Sequence, residues 1–284
     1  MSSKINVTNT TGWERDNRVH FDEIVVNYDK YRWDYPAELF ADAILYSGQG
    51  NGKRAIEIGA GTGKATTPFL DAGYVVTAVE MGTNMAEFLQ DKFKGNKSFN
   101  VTTSIFEDAP LEDESYDLIF AASSFHWVDA KIGCPKVLRL LKSGGAFVLF
   151  RNNTYRQEGN SLDAAIDAAY EKYYYSNYPR YDRPVDFSKM TFVDFLKPTE
   201  IHRGFRFNSL EQFGFTDITM KLYNSSRVYE ANEYIALMDT MSDHRAMPDK
   251  DRAALYAGIS EAILEHGGQL EMKFIFQLYM GRKI

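Results

Sequence analysis

Three glycines on alternate positions, Gly59, Gly61 and Gly63, follow the apolar run Ala55-Ile56-Glu57-Ile58 in this 284-residue chain. No other feature constrains the fold as tightly. A short buried strand has to turn there into a helix starting near Lys64, through a bend so bare of side chains that a ligand can lie against its backbone. Glycine-rich turns of this kind bind nucleotides, and the spacing limits which one. The dinucleotide fingerprint G-x-G-x-x-G would need glycine at 64, where the chain has Lys64. The phosphate loop G-x-x-x-x-G-K-[ST] fails as well. Gly59 and Gly63 enclose too few residues, and Ala65 stands where the magnesium-binding hydroxyl belongs. What remains is E-x-G-x-G-x-G.

Glu80 is the second signal. It closes the apolar, β-branched run Tyr74 to Val79, about 20 residues after the glycine turn, where a carboxylate can accept hydrogen bonds from two adjacent ribose hydroxyls. Nicotinamide enzymes use the same device, so Glu80 points to an adenosine-like ligand without naming its chemistry.

Taken together, the glycine run and Glu80 resemble the first motifs of class I S-adenosylmethionine-dependent methyltransferases. Other segments extend the likeness. Leu141-Lys142-Ser143-Gly144-Gly145 is similar to the family's L-K-P-G-G turn, with Ser143 in place of proline. Phe125-His126-Trp127 resembles the small-molecule branch that includes trans-aconitate methyltransferase and related methyltransferase-11-type domains. Tyr28 to Pro36 resembles that branch's Y-D-x-x-R-x-x-Y-P segment, and Thr240 to Arg245 its T-x-S-x-x-R segment. The similarity runs from Phe21 to Lys283 and is densest over residues 54 to 150.

Periodicity over residues 53 to 150 alternates strand-like and helix-like segments, the pattern of a parallel sheet with helices on both faces. Strands are expected at 54–58, 74–79, 99–103, 116–121 and 146–150, and helices at 64–72, 84–93 and 130–141. After Phe215 the expected order is strand 217–228, helix 231–241, helix 249–266 and strand 270–280. The resemblance implies an α/β, Rossmann-like, seven-stranded mostly parallel sheet of order 3-2-1-4-5-7-6, its last strand antiparallel. The chain then divides into an N-terminal helical cap (1–52), a cofactor-binding core (53–150), a helical insertion or lid for the acceptor after strand 5 (151–207) and a C-terminal completion of the sheet (208–284).

The family's functional roles, carried over residue by residue, imply a cofactor site of Glu57, Gly59, Ala60, Gly61, Gly63, Glu80, Met81 and Ser123. Ile105, Phe106 and Glu107, after the third strand, fall where the family contacts adenine. Many members have an acidic residue at the place of Ile105, so this chain is expected to hold adenine by apolar packing. Tyr28 and Arg32 are expected to close over the methionine end of the cofactor. On the acceptor side the resemblance and the placement at strand ends suggest His126, Trp127, Tyr31, Arg151 and Arg245, with His126 orienting the acceptor or taking its proton.

The implied cofactor is S-adenosyl-L-methionine, converted to S-adenosyl-L-homocysteine, with no metal. A sulfonium-borne methyl group needs no activation by the protein, so positioning of the acceptor does most of the work. This agrees with the lack of a nucleophile-base motif or a convincing metal-ligand spacing. Two other readings stand beside it: a non-catalytic binding module built on the same fold, suggested by the aromatic stretch 170–195, and a nicotinamide-dependent oxidoreductase, which the glycine spacing disfavours.

Composition bounds the partners. With 32 basic against 39 acidic side chains the net charge is −7, and there is no basic tract to meet nucleic-acid phosphates. The expected partner is a small-molecule methyl acceptor, with neither nucleic acid nor membrane, in a monomer or homodimer. The single cysteine, Cys134, lies in an apolar segment and reads as a core residue. No apolar run approaches the ~18 residues of a membrane span. Met1 to Thr11 is polar where a signal peptide would be apolar, and a cytoplasmic protein is expected.

Overall fold

The computed structural model describes residues 15–155, 159–176, 178 and 207–284. The chain forms two compact units. Of the described residues, 33–155, 207–227 and 272–284 belong to a sheet unit, and 15–32, 159–176, 178 and 228–271 to a helical unit.

In chain order the described elements begin with a 3-10 segment (Arg15–Glu23), α1 (Val25–Tyr31) and α2 (Ala37–Ser47). Then come β1 (Arg54–Ile58), α3 (Thr66–Asp71), β2 (Val75–Glu80), α4 (Thr83–Lys92), β3 (Phe99–Thr103) and β4 (Tyr116–Ala122). A 3-10 turn (Phe125–Trp127), α5 (Ala130–Leu140), β5 (Leu141–Tyr155) and α6 (Ser161–Ala169) follow. The chain closes with a 3-10 segment (Phe207–Phe213), β6 (Thr216–Glu230), α7 (Ala231–Met238), α8 (Ser242–Arg245), α9 (Asp249–Glu265) and β7 (Gln269–Arg282).

Among the described residues, seven strands form one sheet of order β3-β2-β1-β4-β5-β7-β6. β1 runs parallel to β2 and β4, and β5 parallel to β4. β7 lies antiparallel to β5 from Ala146 opposite Arg282 to Tyr155 opposite Lys273. This is the expected order, with the expected antiparallel last strand.

Side-chain alternation along the central strands sorts the core onto two faces. On one face Phe120 of β4 and Phe150 of β5 meet helices α2 and α3, with ring centres of Phe69 and Phe120 4.2 Å apart and those of Phe40 and Phe150 5.5 Å apart. On the other, Ile119, Phe147 and Leu149 pack with Phe125 and with Cys134 and Val137 of α5. Leu89 of α4 covers Ala60 and Ala78 beside the glycine turn. Helices cover both faces, as the alternating pattern requires.

Several boundaries differ from the sequence expectation for identifiable reasons. The helix expected from Lys64 starts at Thr66, because Lys64 and Ala65 are still part of the turn out of Gly63. β5 continues past Phe150 to Tyr155, where β7 goes on pairing with it, so residues 151–155 are strand rather than the start of the insertion. Ser143-Gly144-Gly145 lies within β5 as a bulge: Tyr116 pairs with Leu141 and Leu118 with Ala146, and Gly144 takes φ +75°. The helix expected over 231–241 ends at Met238, where Thr240 Oγ1 donates to the Leu237 carbonyl at 2.6 Å, and a separate short helix, α8, follows at Ser242–Arg245. Of the aromatic stretch 170–195 only residues 170–176 and 178 are described; the rest lies outside the described residues.

In the helical unit, Asn160 caps α6, accepting the Leu162 and Asp163 N–H groups, and the helix runs on into a single π-helical turn, Tyr170–Tyr174. Ile166, Tyr174, Leu237, Leu255, Ile259 and Ile263 are buried in this unit. Among the described residues no helix is long and apolar enough to cross a membrane.

Candidate functional site

The carboxyl ends of β3, β2, β1 and β4 lie side by side in the sheet, and the chain leaves each by a short loop. Ligands of open α/β sheets bind at such an edge. Gly59, Gly61 and Gly63 all take left-handed φ, at +65°, +57° and +76°. This repeated reversal folds the turn tightly over the end of β1, and a side chain could not follow it without strain. Space is equally tight. A Cβ on Gly59 would sit 2.7 Å from the Ser124 Cβ, and one on Gly63 2.7 Å from the Phe93 ring. Gly59 N–H donates to the Val79 carbonyl at 2.8 Å, holding the turn against β2.

Glu80 ends β2 and completes that hold. Gly61 N–H donates to its Oε2 at 2.8 Å and Gly82 N–H to its Oε1 at 2.9 Å. Each carboxylate oxygen accepts a backbone donor, which fixes the orientation of the group at the strand end. Met81, the next residue, is half-buried. The Thr62 hydroxyl, buried in the turn, has no hydrogen-bond partner among the described residues. The bare turn, the anchored acidic group and this orphaned hydroxyl fit the adenosine and amino-acid parts of the implied cofactor.

Glu57 lies on β1 beneath the turn and is 1% exposed. Thr66 Oγ1 donates to its Oε2. Burial raises its pKa to about 8; the Thr66 hydrogen bond opposes this, Glu80 adds to it, and Lys92 opposes it.

After β3, Ile105 is half-buried, whereas Phe106 sits in the core with Val79 and Ala109. Glu107 accepts the Asp129 N–H at 3.0 Å, and Asp129 caps α5. The expected adenine triplet thus divides into one residue at the edge, one in the core and one supporting a helix start.

At the end of β4, Ser123 has φ +55°, a sparsely populated conformation for serine. Two contacts hold it there. The Tyr35 hydroxyl donates to Ser123 Oγ at 2.9 Å, and Ser123 Oγ donates to Asn152 Oδ1 at 3.0 Å. Ser124 Oγ donates to the Ile58 carbonyl, tying the ends of β4 and β1 together. His126 and Trp127 follow on the 3-10 turn, both half-buried, their rings 5.0 Å apart. Phe125 anchors that turn in the core at 0% exposure. Arg151, on β5, is half-buried, and desolvation holds its pKa below the ordinary guanidinium value.

The segment before α2 crosses this edge. Trp33 packs on Phe274 of β7, Asp34 pairs with Lys64 at 2.7 Å, and Tyr35 reaches Ser123. Tyr35 and Asn152 are site residues that the motif reading did not assign. Tyr35 was visible as part of the Y-D-x-x-R-x-x-Y-P segment; Asn152 carries no sequence signal, because its role arises only when β4 and β5 are adjacent.

Tyr28, Tyr31, Arg32 and Arg245 belong to the helical unit. The Arg32 guanidinium lies 5.0 Å over the Tyr28 ring and donates to Thr240 Oγ1 and to the Thr240 carbonyl, both at 2.7 Å. The Tyr31 carbonyl accepts from the Tyr229 hydroxyl at 3.2 Å. Arg245 pairs with Glu23 at 2.8 Å and Asp239 at 3.3 Å, so two carboxylates already engage it. Nearby, the Tyr174 hydroxyl donates to Asp243 Oδ2 at 2.6 Å and the Tyr170 hydroxyl meets His244 Nε2 at 3.1 Å. Burial pushes the His244 pKa below its ordinary value.

Cys134 is fully buried, and desolvation pushes its thiol to about 12, which removes it as a nucleophile. Among the described residues no group of three or more His, Cys, Asp or Glu could hold a metal ion.

Comparisons with known proteins converge on one family. Residues 56–149 match the model of a family described as a methyltransferase domain. An uncharacterized methyltransferase of Mycobacterium tuberculosis is 33% identical over 138 residues, which is 49% of this chain and 54% of that protein. The chain thus spans about half the length of the mycobacterial relatives it matches. An uncharacterized methyltransferase of Schizosaccharomyces pombe is 23% identical over 266 residues, 92% of this chain and 95% of its own. Among solved structures, phosphoethanolamine N-methyltransferase 2 of Haemonchus contortus, in complex with phosphomonomethylethanolamine and S-adenosylhomocysteine, shares the fold. Its TM-score is 0.51 at 14% identity, over 96% of this chain and 60% of that one.

Proposed function

We propose, from the match of residues 56–149 to a methyltransferase-domain family, that the protein binds S-adenosylmethionine and transfers its methyl group to a small-molecule acceptor. The observation that carries the reading is the Glu80 carboxylate, held by the Gly61 and Gly82 N–H groups at the end of β2. Of the nucleotide turns compatible with a strand-glycine-helix passage, this one lacks both the third glycine of the dinucleotide fingerprint and the hydroxyl of the phosphate loop. It retains the ribose carboxylate.

The bound cofactor supplies an electrophilic methyl group on a sulfonium, which leaves the protein the tasks of holding, orienting and keeping out water. Glu80, oriented by the Gly61 and Gly82 N–H groups, receives the two ribose hydroxyls. The turn from Gly59 to Gly63 presents bare backbone to the amino-acid moiety, and Ile105 gives adenine an apolar wall. Ser123, clamped by Tyr35 and Asn152, sets the direction in which the chain leaves β4. His126 follows three residues later, where its imidazole can orient an acceptor or remove its proton. Arg151 is the cation on the neighbouring strand for a carboxylate-bearing acceptor. A small-molecule acceptor is supported by the net charge of −7 and by the phosphoethanolamine methyltransferase among the structural neighbours.

Titration calorimetry with S-adenosylhomocysteine tests the proposal. Saturable binding that Glu80→Ala weakens supports it, and absence of heat from the folded protein refutes it.

A further inference from the structure

Two carboxylates lie under and beside one glycine turn, and they are provided for differently. Glu80 takes two backbone N–H donors. Glu57, almost completely buried on the adjacent strand, is given one neutral donor, the Thr66 hydroxyl of α3. The charged groups acting on it are Glu80 of β2, which repels its ionised form, and Lys92 of α4, which favours it. The Lys92 ammonium donates to the Thr62 carbonyl at 2.8 Å. A buried carboxylate without a paired cation is costly when ionised and is kept protonated unless positive charge arrives.

We propose that Glu57 is the charge-sensing residue of the cofactor site: it ionises when the sulfonium-bearing donor binds, stays more protonated with the neutral thioether product, and so makes donor-over-product discrimination depend on pH. The inference rests on the S-adenosylmethionine reading above. Its physical content is linkage. Donor and product differ by one positive charge at sulfur, and a cation held in the low-dielectric space over β1 lowers the cost of an ionised Glu57. The Glu57 proton then passes to the buffer on binding, and more of it does so for donor than for product. The free-protein pKa of about 8 puts the protonated form in the majority at neutral pH. Donor-over-product preference rises with pH from about 5.5 to about 8.5, tenfold for each unit by which the sulfonium lowers the Glu57 pKa beyond the lowering by the thioether.

The test is calorimetry of the full chain with S-adenosylmethionine and S-adenosylhomocysteine at a series of pH values across neutrality, in phosphate and in Tris, whose different ionisation enthalpies report the protons released. Three proteins are compared: wild type, Glu57→Gln and Thr66→Val. The expected result is greater proton release with the donor than with the product in wild type, and loss of that difference in Glu57→Gln while both ligands still bind. Thr66→Val, which removes the one donor to the carboxylate, moves the release to higher pH. Equal release by the two ligands, or an unchanged difference in Glu57→Gln, overturns the inference and leaves the methyltransferase reading standing. Failure of wild type to bind either ligand overturns both.

Discussion

The Glu80 carboxylate accepts the Gly61 N–H at 2.8 Å, so the end of β2 and the middle of the glycine turn form one hydrogen-bonded structure. Replacing Glu80 by alanine removes the acceptors proposed for the ribose and also leaves two backbone donors without this partner, the buried Gly82 N–H and the part-buried Gly61 N–H. Hydrogen bonds to a charged group are worth about 1.5–3 kcal/mol each. Glu80→Ala is therefore expected to weaken S-adenosylhomocysteine binding by ten- to a hundredfold or more in calorimetry, and to lower the melting temperature of the unliganded protein. Unchanged affinity would remove Glu80 from the site.

Glu57 links stability to pH. Its folded-state pKa, about 8, lies above the ordinary value of 4.5. Below about pH 4.5 both folded and unfolded states hold the proton. Between there and pH 8 the unfolded chain ionises while the folded one does not, so this group's contribution declines as pH rises and levels off above pH 8. Glu57→Gln does not titrate. Its melting temperature relative to wild type should rise steadily from pH 5 to pH 8, and a difference that is flat across that range would contradict the assignment.

The glycine turn should tolerate no side chain at its ends. Alanine at Gly63 faces both φ +76° and contacts of 2.7 Å to Phe93 and 2.9 Å to Leu89. A left-handed residue other than glycine costs about 1–2 kcal/mol before any clash. Gly63→Ala is expected to lower the unfolding free energy by more than that, whereas Gly95→Ala, at φ +82° with nothing within 4 Å, should lose only the backbone component. Equal losses in chemical denaturation would show that packing at Gly63 is immaterial.

Two arginines of the helical unit make a contrasting pair. Arg32 gives two 2.7 Å hydrogen bonds to Thr240, which is fully buried, and lies over an aromatic ring. Its replacement by alanine should cost about 2 kcal/mol or more, and lysine, with no planar fork, should not restore it. Arg245 is partly exposed and pairs with carboxylates, a class of interaction worth about 0–1 kcal/mol. Urea denaturation of Arg32→Ala and Arg245→Ala checks the order; the reverse order would mean that the Thr240 contact is not structural.

Much of the sheet unit was legible in the sequence, because its signals are local. β3 occupies Phe99–Thr103 and β4 starts at Tyr116, as apolar runs between polar loops required, and the three glycines and Glu80 come together through a single strand pairing, β1 with β2. What depends on distant partners was not legible. Ser123, Tyr35 and Asn152 form one hydrogen-bonded group from three separate segments, and no spacing rule links positions 35, 123 and 152. Phe106 and Glu107 sit beside Ile105 in the chain, but the Asp129 N–H and the core draw them away from the edge. The engagement of Arg245 by Glu23, more than 200 residues earlier, is likewise invisible to motif reading.

Binding of S-adenosylhomocysteine to the purified full chain, with Gly61→Arg as its control, tests the central claim most directly. The turn and the Glu80 carboxylate predict saturable, one-to-one binding to wild type with a dissociation constant of about micromolar order, and none to a Gly61→Arg variant whose circular dichroism is native. No heat and no thermal shift from wild type with either S-adenosylhomocysteine or S-adenosylmethionine, or equal binding by Gly61→Arg, would contradict it.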